Sequence, residues 1–224
     1  MSNLVAPTLP DLEPAVQIAA LAAAVDQASS RVELIETVQK LVAQRSLLAV
    51  PTLIKVLGYN NPGAAAIAME GLIDLGTAAV PQILANVDQF NYGARAYSVR
   101  ALAKIADPRG LELLLSSAVA DFAPSVRRAA IKGLGSLRWE NYLVDQISRA
   151  QTQILTTLRS MLEDEDWSMR YAAVVALDHL ASQGRLPYSD QAIAHLQAGL
   201  DLEQNGEICI IARIQLALAK YLSN

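Results

Sequence analysis

One short pattern recurs down this chain and constrains it more than any single motif: Arg with Ala one or two residues on (Arg-x-Ala in two copies), then Ala/Gly-Leu-x-x-Leu/Ile a couple of helical turns later. The clearest copies run over residues 95–105, 127–137 and 170–180, with weaker ones at 65–75 and 211–221. Aligned on Leu72, Leu102, Leu134, Leu177 and Leu218, they follow one another at intervals of 30, 32, 43 and 41 residues. A second helical stretch precedes each copy, at residues 51–57, 80–87, 108–119, 142–162 and 190–202. A period of about 30 to 47 residues is that of one helical hairpin. Such a hairpin cannot bury its apolar stripe alone, so its stability must come from the neighbours it stacks against.

The fold class that follows is all-α: HEAT-like helical-hairpin repeats forming a curved α-solenoid, its concave wall built mainly from the second helix, B, of each hairpin. Composition agrees, since 53% hydrophobic residues with only 5% aromatics suit close-packed helices better than a sheet. Turn chemistry falls where the repeats need it. Asn60-Asn61-Pro62-Gly63, Gly76, Asp107-Pro108 and Gly184 lie between helices, and Pro51, Pro81 and Pro108 suit a first helical turn. Residues 1–46 read as a leader with Pro7, Pro10 and Pro14, loosely ordered, followed by a capping hairpin of residues 12–25 and 32–42 with Ser29 or Ser30 as N-cap. Residues 47–224 read as one continuous repeat array. The long interval between Leu134 and Leu177 holds an extra segment around Trp139, and this segment and the apolar N-terminal hairpin are the expected partner surfaces.

Charge and single-residue chemistry exclude several functions. A net charge of −4, with the 18 Lys and Arg spread along the chain, leaves no basic stripe for nucleic acid. No apolar run reaches the roughly 20 residues that cross a bilayer, and no basic n-region opens the chain, so a soluble, cytoplasmic protein is expected. His179 and His195 have no metal-ligand spacing, and Cys209 has no second cysteine, so no metal site is expected. Cys209, between Ile208 and Ile210, reads as a small buried core residue. Nucleotide-binding glycine motifs and a Gly-x-Ser-x-Gly elbow are absent, and the acidic run at 163–166 is too compact for a calcium loop.

Two groups of residues remain as candidates. Arg95, Arg127 and Arg170 recur in one repeat position. They form either a packing ladder with acids in the inter-helix turns or a carboxylate site at the N-termini of the B helices. Arg100, Arg109, Arg128 and Trp139 have no counterpart in other repeats. Tyr92 and Trp167 share one position at the mouth of a B helix, where they would stack on a flat conjugated ligand or anchor a protein interface.

The stretch Asn91-Tyr92-Gly93-Ala94-Arg95-Ala96-Tyr97-Ser98-Val99-Arg100-Ala101-Leu102-Ala103-Lys104-Ile105-Ala106-Asp107-Pro108-Arg109-Gly110 resembles the most distinctive segment of the smaller subunit of the heterodimeric phycocyanobilin lyases. Asp121-Phe122 and Ser125-Val126-Arg127-Arg128-Ala129-Ala130 resemble its next repeat, and the likeness extends from about residue 48 onward. The resemblance implies a heterodimer with a larger HEAT-repeat subunit. That pair attaches a linear tetrapyrrole through a thioether to a cysteine of the phycocyanin α subunit, and detachment or transfer is also within its chemistry. Phycocyanobilin is then the substrate, no tightly bound cofactor is expected, and the compartment is the cyanobacterial cytosol. The nucleophilic thiol belongs to the acceptor. An adjacent His-Cys pair, which marks an isomerising branch of the family, is absent here. The resemblance gives Arg95, Arg100, Arg127 and Arg128 the bilin propionates, Asp107 or Asp121 the pyrrole nitrogens, and Tyr92 and Trp167 the ring system, with Trp139 a further aromatic candidate. The rival reading is a non-catalytic repeat scaffold or chaperone that binds another protein.

Overall fold

A computed structural model of the chain describes residues 9–88, 90–140, 142–203 and 206–221, and these contain helices and turns but no strand. They form two compact units divided between Ala101 and Leu102.

The first unit opens with α1 (Leu9–Gln27) and α2 (Arg31–Val42), followed by α3 (Val50–Leu57), α4 (Pro62–Leu75), α5 (Val80–Ala85) and the start of α6 (Tyr92–Ile105). Helix α1 packs on α2, and Ser30 is the N-cap of α2, its hydroxyl accepting from the Glu33 N–H at 3.1 Å. Glu33 reaches back to the Ser29 N–H and hydroxyl, each at 2.8 Å, which completes a reciprocal cap. One expectation is corrected: Pro10 and Pro14 lie within α1 rather than in a loose leader. Pro10 falls in the first turn, where its missing N–H has no partner to lose. Pro7 lies outside the described residues.

The second unit continues α6 and adds α7 (Leu111–Ala120), α8 (Pro124–Ser136), α9 (Val144–Met161), α10 (Trp167–Ser182), α11 (Tyr188–Leu202) and α12 (Ile208–Ala219). Here α7 packs on α8, α9 on α10 and α11, and α11 on both α10 and α12, while α8, α10 and α12 stack in succession.

The B helices are α4, α6, α8, α10 and α12. They begin at Pro62, Tyr92, Pro124, Trp167 and Ile208, so their starts reproduce the intervals of the leucine anchors. Leu72, Leu102, Leu134, Leu177 and Leu218 are all buried, each contributing roughly 2 kcal/mol of apolar burial. Close stacking of α8 depends on glycine. A Cβ on Gly133 would sit 2.6 Å from the Ala103 Cβ, and one on Gly135 would sit 2.5 Å from the Ala176 carbonyl oxygen. Glycine is unfavourable inside a helix by about 1 kcal/mol, and here it lets the backbones of neighbouring repeats approach.

The extra segment after α8 folds back rather than standing open. The Arg138 N–H donates to the Ala106 carbonyl at 2.9 Å and its guanidinium to the Ile105 carbonyl at 2.8 Å, so Arg138 serves carbonyls left over at the end of α6. Ala106 takes a positive φ of 59° to end that helix. Among the described residues no helix is long and apolar enough to cross a membrane.

Candidate functional site

The repeat-position arginines of the second unit act as ties between successive hairpins. Arg127 Nε donates to the Ala118 carbonyl at the end of α7 at 3.1 Å, and its Nη2 pairs with the Asp164 carboxylate in the turn before α10. One repeat later, Arg170 Nε pairs with the Glu203 carboxylate after α11, while Nη1 donates to the Asp164 carbonyl at 2.9 Å. The same slot does the same job twice: one guanidinium closes its own hairpin and holds the next. Arg95 fills that slot in α6 and is only 6% exposed. Its charge helps hold the Asp88 carboxyl below the usual carboxylate range, after the larger effect of the Asn91 and Phe90 N–H groups.

The off-phase residues divide. Asp107 caps the turn before α7 and accepts from the Arg109 N–H at 2.9 Å, from Arg109 Nε at 2.9 Å and from Nη2 at 2.5 Å. The Arg109 guanidinium holds the Asp107 carboxyl below its ordinary value despite burial. Asp107 is therefore an ionised turn residue with both oxygens facing Arg109. Asp121, at the end of α7, accepts from the Ala123 N–H at 2.9 Å. Arg128 Nη1 donates to the Ser168 hydroxyl at 3.1 Å, linking α8 to the first turn of α10. In the first unit, Arg100 lies over the Tyr97 ring, 5.6 Å from its centroid, a cation–π contact that leaves guanidinium edges for an anion.

The aromatics divide as well. Tyr92 and Trp167 are the first residues of α6 and α10 and are 43% and 49% exposed at the mouths of those B helices. Trp139 does not: it is 4% exposed and packs edge-on against Tyr142, centroids 5.8 Å apart, with its indole N–H buried and unbonded among the described residues. Cys209 corrects a second expectation. It is exposed, because α12 turns Ile210 and Ile214 inward and leaves Cys209 on the outer side. Among the described residues no cluster of His, Cys, Asp and Glu is arranged to hold a metal.

Residues 94–118 match the PBS lyase HEAT-like repeat family and residues 154–184 the HEAT repeat family. The chain is 48% identical over 185 residues to the phycocyanobilin lyase subunit beta of Nostoc sp. PCC 7120, covering 83% of this chain and 90% of that one. It is 47% identical to the phycocyanobilin lyase subunit beta of Thermosynechococcus vestitus, covering 88% and 92%. Among solved structures it matches the complex of CpcE and CpcF of phycocyanin lyase from Nostoc sp. PCC 7120, with a TM-score of 0.67, 46% identity and coverage of 77% of this chain and 99% of that one. The chain belongs to the phycocyanobilin lyase beta-subunit family. A designed armadillo repeat protein, at 18% identity, TM-score 0.56 and coverage of 96% and 95%, shares the fold alone.

In this member of the lyase beta-subunit family, sequence reasoning missed two structural devices. The first is the asparagine just before α4 and α6. Asn61 Oδ1 accepts from the Ala64 N–H at 3.2 Å while its Nδ2 donates to the Arg31 carbonyl at 3.2 Å. Asn91 repeats the motif with the Ala94 N–H and the Gly58 carbonyl, each at 3.1 Å. An Asn one position before two B helices was the available signal. The second is Asp178, buried in α10, which accepts from Arg213 at 2.6 Å, Lys220 at 2.7 Å and the Tyr221 hydroxyl at 3.0 Å. Burial pushes its carboxyl up, but the bonds from Lys220, Arg213 and Tyr221 together outweigh burial and hold it below the usual range. An acid directly after the apolar run Val174-Val175-Ala176-Leu177 was the signal there.

Proposed function

We propose that this chain is the smaller subunit of a phycocyanobilin lyase, which works with the larger HEAT-repeat subunit to attach phycocyanobilin through a thioether to a cysteine of the phycocyanin α subunit. The observation that carries the reading is the 48% identity to a lyase subunit beta across nine-tenths of that protein's length. The repeat register supports it by separating residues that hold the fold from those left for a ligand.

Arg127 is engaged by Asp164 and Arg170 by Glu203, and Asp107 faces Arg109. Arg100 over Tyr97, with Tyr92 at the mouth of the same helix, is the part of the expected set best placed for a propionate and a pyrrole ring. Arg128 and Trp167 are the corresponding pair in the second unit. The acceptor thiol adds its sulfur to the exocyclic carbon of the bilin and its proton to the ring, so the step needs no oxidant. Orientation of thiol and bilin supplies much of the acceleration. In this reading residues 1–46 cap the array, residues 47–224 carry the work, phycocyanobilin is a substrate rather than a resident cofactor, and the reaction takes place in the cyanobacterial cytosol.

The test is co-expression of the chain with the larger subunit, a bilin source and the phycocyanin α subunit, read as zinc-enhanced fluorescence on the acceptor band. Colour should require this chain. Equal colour without it would leave the non-catalytic scaffold as the better account.

A further inference from the structure

Three successive turns in the second unit, each leading into a B helix, carry a large apolar side chain in the open. Phe122, before α8, is 76% exposed; Trp167 opens α10; and Leu202 and Ile208 flank the turn into α12, with Ile208 82% exposed. Single exposed apolar residues are ordinary on a protein surface. Recurrence at the same end of three consecutive hairpins is positional. That end is one edge, because Arg127 ties the α8 hairpin to the turn before α10 and Arg170 ties α10 to the end of α11.

The apolar side chains alternate with negative charge. Glu163, Glu165 and Asp201 are exposed, and their carboxylates make no hydrogen bond or ion pair among the described residues. They line an open cleft of about 590 Å³ between the last two turns, together with Leu202 and the Arg170–Glu203 pair. Arg170 is neutralised by Glu203, so the cleft faces outward with a negative surplus.

We infer that this edge is where the acceptor protein docks during bilin transfer, through a surface that sets Lys or Arg side chains around an apolar spot. The inference rests on the lyase reading and deepens it. Composition selects the occupant. Exposed aromatic and aliphatic anchors ringed by surplus negative charge suit a partner that is steered in and released at every turnover. A permanent subunit needs a broader face depleted of charge. Trp167 belongs to the edge and to the bilin set, so the acceptor thiol would arrive where the pigment is held.

The experiment is steady-state transfer by the reconstituted heterodimer at varied apo-acceptor concentration, comparing the unaltered chain with Phe122→Ser and with the double variant Glu165→Lys, Asp201→Lys. The KM for acceptor should rise about tenfold in the charge variant, with kcat, heterodimer elution and melting temperature unchanged. Added salt should raise the KM of the unaltered enzyme and barely move that of the variant. A neutral pair, Glu165→Gln with Asp201→Asn, should give an intermediate KM and guards against misfolding caused by the lysines. An unchanged KM would overturn the inference. So would dissociation of the heterodimer, which would assign the edge to the larger subunit. An unaltered heterodimer that transfers no bilin would instead overturn the lyase reading, and this docking surface with it.

Discussion

The two units hold successive hairpins together by different chemistry. In the first, Asn61 and Asn91 each cap a B helix with one amide atom and reach the preceding hairpin with the other, a neutral tie that stands beside the exposed Lys55–Asp26 ion pair between α3 and α1. In the second, the position before the B helix is Ala123, Asp166 or Glu207, and the tie has moved to charged pairs, Arg127 with Asp164 and Arg170 with Glu203. Both solve one problem, that turn backbone between repeats must find partners once stacking excludes water. The charged solution costs more when broken, because removing one partner strands the other's charge largely away from water. The neutral one should be indifferent to salt and pH.

The largest expected effect is on the charged side. Arg127→Ala leaves the half-buried Asp164 carboxylate without its guanidinium and should lower stability by about 3 kcal/mol in urea unfolding; a loss within error would remove the ladder from the account. Gly135→Ala drives a methyl into the Ala176 backbone and should cost roughly 2 kcal/mol, whereas a neutral result would mean that α8 and α10 can separate freely. On the neutral side, Asn91→Ala removes a cap and a cross-turn bond and should cost about 1 kcal/mol. That loss should be equal in low and high salt, and a salt-dependent loss would erase the contrast between the units. The smallest effect is a pH signature. Burial, with Asp178 beside it, pushes the Tyr221 phenol up to about 12 from an ordinary 10. A raised folded value gives stability that is complete below pH 10 and is lost as pH rises toward 12. Tyr221→Phe should flatten that alkaline decline in melting temperature; an unchanged decline would assign it to other groups.

Much of this architecture was legible in the chain. The leucine anchors and the arginine slot mark a periodic demand, and periodicity survives in sequence because every repeat must meet the same packing constraint. Side-chain direction within a turn is less legible. Trp139 looks like an open aromatic in an extra segment, yet Arg138 bonds that segment back to the end of α6 and the ring is buried. Cys209 sits among isoleucines and looks internal, yet one helical step places it outside while Ile210 faces in. Asp107 has its nearest cation two residues on, where Arg109 donates to both carboxylate oxygens, a local pairing that no repeat-wide rule announces. In each instance the deciding contact is a local bond or a helix rotation rather than a repeat-wide rule.

The arginine phase is what must be tested: Arg127, in the repeated slot, ties successive hairpins, whereas off-phase Arg100 on α6 is proposed to meet the ligand. Arg100 and Arg127 test it directly, with bilin transfer per folded molecule and melting temperature measured on the same preparations. Arg100→Ala should transfer at least tenfold less pigment at an unchanged melting temperature, and Arg127→Ala should melt lower yet transfer normally once folded. Normal transfer by Arg100→Ala with a depressed melting temperature would contradict the account.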